Sequence, residues 1–180
     1  MRFWRAASFA AVLASALSWA APSRAIDAVN VPADASAIDL TGAAEIVKTE
    51  TDRIQVSAAP GTDGIVRRMM QPAREGSTNW AVFALANSGD QQMDRLIVVP
   101  HYRMVGSGIL WPDLGLSRVV TITPSSGERP DRQDSAVADI FRITLDPGTV
   151  VTYIVELRTD KIPQLYLWEP DAYKDKINSF

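Results

Sequence analysis

This 180-residue chain has no cysteine and one histidine, His101. The first absence excludes disulfides, thiolate nucleophiles, zinc–thiolate sites and a lipid-modified N-terminal cysteine. The second excludes a multi-histidine metal centre, and any serine–histidine–acid triad would have to use His101. No Gly-x-Ser-x-Gly elbow occurs to present such a serine. Basic residues (18) do not outnumber acidic ones (21), for a formal net charge of −3. The chain therefore lacks the basic stripe that displaces counterions from nucleic acid. After Ala25 no apolar run is long enough to cross a bilayer.

What is present begins with a targeting segment. Met1 to Arg5 is short and basic, Ala6 to Ala21 carries no charge, and Ser23-Arg24-Ala25 puts small residues where a signal peptidase reads them. This three-part layout is that of a secretory signal peptide, with cleavage expected after Ala25. Its removal takes Arg2, Arg5 and Arg24 and no acid, leaving a more acidic exported chain. Export without disulfides points to a bacterial periplasm.

Residues 26–37 are rich in Ala, Asp and Pro without a period and are expected to form a flexible lead-in. Ile38-Asp39-Leu40 reads as an edge strand, and Thr41 to Thr49 is ambiguous between helix and strand. Arg53 to Ala58 alternates, and a strand is expected over Ile65 to Met70 after the turn chemistry of Pro60 to Gly64. Asn79 to Asn87 is apolar on both faces, which predicts a central strand buried on both sides. Asp94 to Val99 is the next strand, closed by Pro100. Ser117 to Pro124 is β-branched, whereas Ser125 to Ala138 reads as a loop. Asp139 to Leu145, the turn Asp146-Pro147-Gly148, and Thr149 to Leu157 form a hairpin. Leu165 and Leu167 lie on a last strand, and Glu169-Pro170-Asp171 opens a short helix. Frequent turns and little helical periodicity predict an all-β fold, an antiparallel β-sandwich with a jelly-roll-like layout and a short C-terminal helix.

Candidate chemistry is sparse. His101 precedes Tyr102 and Arg103, where an imidazole could act as a base or touch a ligand. The connection from Arg103 to Leu116 is long enough to be functional. It carries Trp111, whose ring would either meet a ligand, such as a sugar face, or fold back over the sandwich. Trp80 and Trp168 read as core residues. Asp94, Asp113, Asp131, Asp134, Asp139 and Glu156 show no spacing that singles out a catalytic pair and read as solvated loop acids. Asp131 to Asp134 does not have the calcium-loop pattern. The clusters Arg67-Arg68 and Arg129/Arg132 read as solvated faces. The residues alone imply no cofactor and no metal.

Two stretches resemble a known family. Asn79-Trp80-Ala81-Val82-Phe83-Ala84-Leu85-Ala86-Asn87 and the closing Leu167-Trp168-Glu169-Pro170-Asp171-Ala172-Tyr173 are similar to the type-2 extracellular domain of bacterial seven-transmembrane receptors with diverse intracellular signalling modules. More narrowly, they resemble the periplasmic region of sensors whose cytoplasmic GGDEF or EAL domains make or degrade cyclic di-GMP. The likeness runs from Ile38 to Tyr173, with residue-level matches in these two motifs. Val82 stands where the family tends to carry a polar or basic residue, and the loop around Trp111 has no counterpart.

The resemblance implies a sandwich related in shape to carbohydrate-binding modules, with residues 38–168 as a periplasmic sensor domain. It also implies residues 169–180 as a juxtamembrane connector, with Trp168, Pro170 and Tyr173 coupling the domain to membrane spans. The Gly-Gly-Asp-Glu-Phe and Glu-Ala-Leu motifs are absent, so no enzymatic activity is expected of this chain. Its partners would be an unidentified small molecule or glycan and the downstream transmembrane and cytoplasmic domains of a parent protein tethered to the inner membrane. A homodimer stays open. The rival readings are a free periplasmic carbohydrate-binding or assembly protein and, from another class, a hydrolase using His101.

Overall fold

A computed structural model describes residues 25–104, 110–112 and 117–178, with backbone alone for 102–104 and 110–112. The strands in chain order begin with β1 (Ala28–Asn30), β2 (Ala37–Asp39), β3 (Glu45–Lys48), β4 (Arg53–Ser57) and β5 (Arg68–Pro72). Two long strands follow, β6 (Asn79–Asn87) and β7 (Met93–Pro100), then β8 (Tyr102–Met104), β9 (Leu110–Pro112), β10 (Val119–Pro124) and β11 (Asp131–Gln133). β12 (Ala138–Leu145), β13 (Thr149–Leu157), β14 (Tyr166–Trp168) and the helix α1 (Pro170–Asn178) complete the chain.

Two five-stranded sheets face each other. In the first, β6 pairs with β13 on one side, and on the other with β1 in parallel and β3 antiparallel; β10 borders β13. The second runs β11-β12-β7-β14-β2. This is the β-sandwich that the alternation of the sequence predicts. Alternate side chains of each strand point between the sheets. Ala81, Phe83, Leu85, Val151, Tyr153 and Val155 from the first sheet meet Ile97, Val99, Phe141, Ile143 and Leu145 from the second. Phe83 and Tyr153 stack with centroids 5.3 Å apart. The β12–β13 turn follows the sequence reading too: Gly148 has φ of 64°, a backbone conformation that its missing Cβ permits.

The doubly apolar pattern of β6 has a direct explanation. Its odd residues fill the inter-sheet core, and its even residues Trp80 and Val82 face outward beneath the β4–β5 hairpin, against Ile54 with Val56 and Met69. The sandwich thus gains a third layer on that side. The outer face of the second sheet is covered differently. Leu96, Val98, Ala138 and Ile140 form a seat for Trp168 and Tyr173 of the chain's exit.

Four local expectations are corrected. Residues 26–37 are not a slack lead-in. They hold β1 and the start of β2, Val31 is buried in the core, and the Arg95 guanidinium donates to the Pro32 and Ala33 carbonyls at 3.1 Å. The stretch 125–138 holds β11, and β12 starts at Ala138. The long connection after His101 holds the two-stranded β8–β9 hairpin, with Arg103 opposite Trp111 in backbone register. Trp168 lies on the outer face of the second sheet, half-buried, and not between the sheets. The signal segment lies outside the described residues except for Ala25, as do Phe180 and the side chains of Tyr102, Arg103 and Trp111.

Candidate functional site: a buried carboxylate at the base of a hairpin

The site is built around Asp139. Its register opposite Val99 puts it on the inward face of β12, where β7 is about to end at Pro100. Only 2% of its surface is exposed. A carboxylate taken out of water to that degree survives only if charged or N–H partners replace the lost hydration. Asp139 has several. Ser117 Oγ donates to Oδ1 at 2.5 Å, and the Arg118 and Val119 backbone N–H groups donate to Oδ2 at 2.6 and 3.0 Å. Arg132 Nη2 donates to Oδ1 at 2.8 Å and to Ser117 Oγ at 2.6 Å. The Arg132 guanidinium lies 5.3 Å from the centroid of the Phe141 ring, which fixes its plane.

His101 completes the cluster. Its backbone N–H donates to Val137 O at 2.8 Å, and its Nε2 lies 3.3 Å from Asp139 Oδ2. That distance allows an ion pair when the ring is protonated, yet Nε2 is buried and makes no aligned hydrogen bond. The contact is therefore electrostatic rather than a hydrogen bond.

The arrangement ties together the two ends of one excursion. The chain leaves the sandwich at His101, forms β8 and β9, and returns at Ser117. Both of those residues converge on one carboxylate. A cavity of about 300 Å³ opens beside them, lined by His101, Ser117, Arg132, Asp134, Ser135 and Asp139 among others. Arg132, 43% exposed at its side chain, supplies the cationic part of that wall.

The geometry is not that of a hydrolytic triad. In a triad the imidazole stands between hydroxyl and carboxylate and moves the proton. Here the carboxylate stands between Ser117 and His101. Among the described residues no cluster of three His, Asp or Glu side chains could hold a metal ion.

A second buried carboxylate anchors the layer next door. Glu156, fully buried on the outer face of β13, accepts from the Arg74 N–H at 3.1 and 2.9 Å and from the Glu75 N–H at 3.0 Å. Arg158 links the two anchors, donating to the Glu75 carboxylate at 2.9 and 3.0 Å and to Ser117 O at 3.3 Å. The Arg158 guanidinium holds the Glu75 carboxyl below the usual carboxylate range.

At the exit, Glu169 caps α1. Its Oε2 accepts from the Ala172 N–H at 2.7 Å, and its N–H donates to Ser36 O at 2.9 Å. Backbone N–H groups of Ala172 and Asp171 hold its carboxyl below the ordinary range. Pro170 occupies the first helical position, where a missing N–H costs nothing. Trp168 and Tyr173 meet with ring centroids 5.8 Å apart.

Of the residues that the sequence singled out, His101 is thus in a structured cluster, while Tyr102, Arg103 and Trp111 have known backbone pairing alone. Asp139, Glu156 and Arg132, read from sequence as solvated, carry the architecture. The Asp139 and Glu156 partners are backbone groups and side chains remote in sequence, so no local pattern marks them. No family model matches the chain, nor does any curated protein or solved structure.

Proposed function

We propose that this chain is an extracytoplasmic ligand-sensing β-sandwich, the input module of a membrane-bound signalling protein whose absent cytoplasmic part turns over cyclic di-GMP. The observation that carries the reading is the position of three consecutive residues on β12. Asp139 grips the base of the β8–β9 hairpin on the inner face, while Ala138 and Ile140 seat Trp168 and Tyr173 on the outer face. A ligand that favours one setting of the hairpin base would shift the population of β12 arrangements, and the exit helix reports that shift. The signal-like N-terminus and the two sequence motifs support an exported location and a tether. On this reading the chain binds and transmits but does not catalyse.

The test uses the full-length parent with its natural reading frame beyond Phe180, expressed in bacteria with and without Asp139→Asn. The expected result is a protein in the membrane fraction in both cases, with cellular cyclic di-GMP altered by the substitution at equal protein level. A parent found free in the periplasm would sink the input-module reading and leave a binding or assembly protein. Unchanged cyclic di-GMP would remove β12 from the signalling route.

A further inference from the structure

The Asp139 carboxylate is already saturated where His101 meets it. Ser117 Oγ and Arg132 Nη2 donate to Oδ1, and the Arg118 and Val119 N–H groups donate to Oδ2. A carboxylate has about four lone-pair positions, so these donors leave none for the imidazole. His101 Nε2 nevertheless sits 3.3 Å from Oδ2, buried and without a hydrogen-bond partner among the described residues. A buried side-chain nitrogen ordinarily has one. Its burial keeps ligand atoms from Nε2 but not a proton. The side chain as a whole is 13% exposed, beside the cavity that Ser117, Arg132 and Asp134 help to line, so water reaches the ring.

A neutral imidazole gains little from Asp139. With its proton on Nδ1 it turns a lone pair toward the carboxylate. With its proton on Nε2 it offers a donor to an oxygen that two N–H groups already occupy. The imidazolium differs, because charge attraction needs no free lone pair and is stronger away from water. Other charges face the same spot. Arg132 of β11 shares Oδ1, Arg118 is itself buried with its N–H on Oδ2, and Arg158, just after β13, feels the Asp139 charge. These cations oppose a proton on the ring, and Asp134 in the cavity wall favours it. Asp139 acts at ion-pair distance and sets the sign.

We propose that His101 is a proton-operated latch on the base of the β8–β9 hairpin. Protonation draws the start of β8 onto β12 through Asp139. Loss of the proton leaves His101 held by its backbone N–H on Val137 O. The hold is present on the acid side of the ring's titration and is lost on the alkaline side, within the range of about pH 5 to pH 8 in which an imidazole ordinarily changes charge. As a property of the hairpin base the latch needs nothing from the signalling reading above. As the stimulus of that module it rests on it.

His101 is the chain's one histidine, so every imidazole signal belongs to it. The test follows that signal by NMR in residues 26–180, without a histidine tag, from about pH 5 to pH 8. Amide exchange at His101, Arg118 and Val119 is measured alongside and expressed as protection relative to the unfolded chain, which removes the intrinsic pH dependence. Protection at these amides is expected to be at least about fivefold greater at the acid end, the lower edge of effector coupling. Its midpoint should fall on the imidazole midpoint. In His101→Gln the step is expected to vanish. If that variant does not fold, the coincidence of midpoints in the unsubstituted chain decides. An imidazole that does not titrate in this range overturns the proposal. So does protection that stays flat or rises with pH, a step on a different midpoint, or a step retained in His101→Gln. Each of these outcomes is read on the isolated chain, apart from the cyclic di-GMP test of the full-length parent.

Discussion

His101 and Ser117 lie on opposite sides of the β8–β9 hairpin and meet different oxygens of one carboxylate. His101 Nε2 is 3.3 Å from Asp139 Oδ2, and Ser117 Oγ is 2.5 Å from Asp139 Oδ1. The hairpin is thus fastened at its base by a residue that belongs to neither of its strands. Asp139→Asn keeps the shape but removes the charge and replaces one acceptor oxygen with an N–H₂ group. The expected cost is about 3 kcal/mol, measured by denaturant unfolding. Amide exchange should rise first at Arg118 and Val119, whose N–H groups would then bond an uncharged side chain. Unchanged exchange there would mean that Asp139 is not the fastener.

Glu156 fastens the neighbouring layer, and Glu156→Gln tests it. The Arg74 and Glu75 N–H groups need acceptor oxygens, and an amide offers one oxygen where the carboxylate offers two. A loss of about 2 kcal/mol is expected, with faster proteolysis within residues 73–78 as the checking measurement.

The exit helix should be separable from the core. α1 itself has no buried residue and docks through Tyr173 beside Trp168. Trp168→Ala is expected to cost about 2 kcal/mol, less than a fully buried tryptophan because the ring is half-exposed. Hydrogen exchange should show α1 released while β6, β7 and β13 keep their protection. Global loss of protection would show instead that the seat is part of the core.

The pH dependence has opposite signs on its two limbs. Asp94 is held below the ordinary carboxylate range by the Arg142 hydrogen bond first and the Thr144 hydroxyl second. Its contribution is therefore present above the unfolded carboxylate pKa and is lost as pH falls through the folded one. The pair is partly exposed, so the loss stays below about 1 kcal/mol. Tyr153 is shifted upward by burial. Its contribution is present below the ordinary tyrosine value of 10.0 and is lost as pH rises beyond it, because the unfolded chain ionises first. Melting curves of Tyr153→Phe should show a shallower alkaline decline than the parent. An identical decline would place the alkaline sensitivity elsewhere.

The long strands were legible because their cause is local. β6, β12 and β13 each carry an apolar period that has one burial solution, and Asp146-Pro147-Gly148 carries its own turn geometry. β1, β8, β9 and β11 span three residues each, too few to establish a period, and they exist because a longer strand or a hairpin partner offers free backbone groups. The buried acids were illegible for a different reason. Asp139 looks like Asp131 or Asp134 until Ser117 and Arg132 are brought to it by the fold, and Glu156 depends on N–H groups 81 and 82 residues away. Trp168 was recognisable as a packed residue, but which side of its sheet it faces follows from strand register, not from its neighbours in sequence.

The placement of β14 has a mechanical meaning. It lies between β7 and β2, hydrogen-bonded on both sides, and Glu169 is tied to Ser36 just beyond it. A tug on the helix runs along β14 and loads both ladders in shear, so that many bonds must yield together rather than one by one. Force arriving from the C-terminal side is shared at once with the strand beside residue 36 and with the middle of the second sheet. The C-terminal helix therefore cannot be peeled from the sandwich one bond at a time.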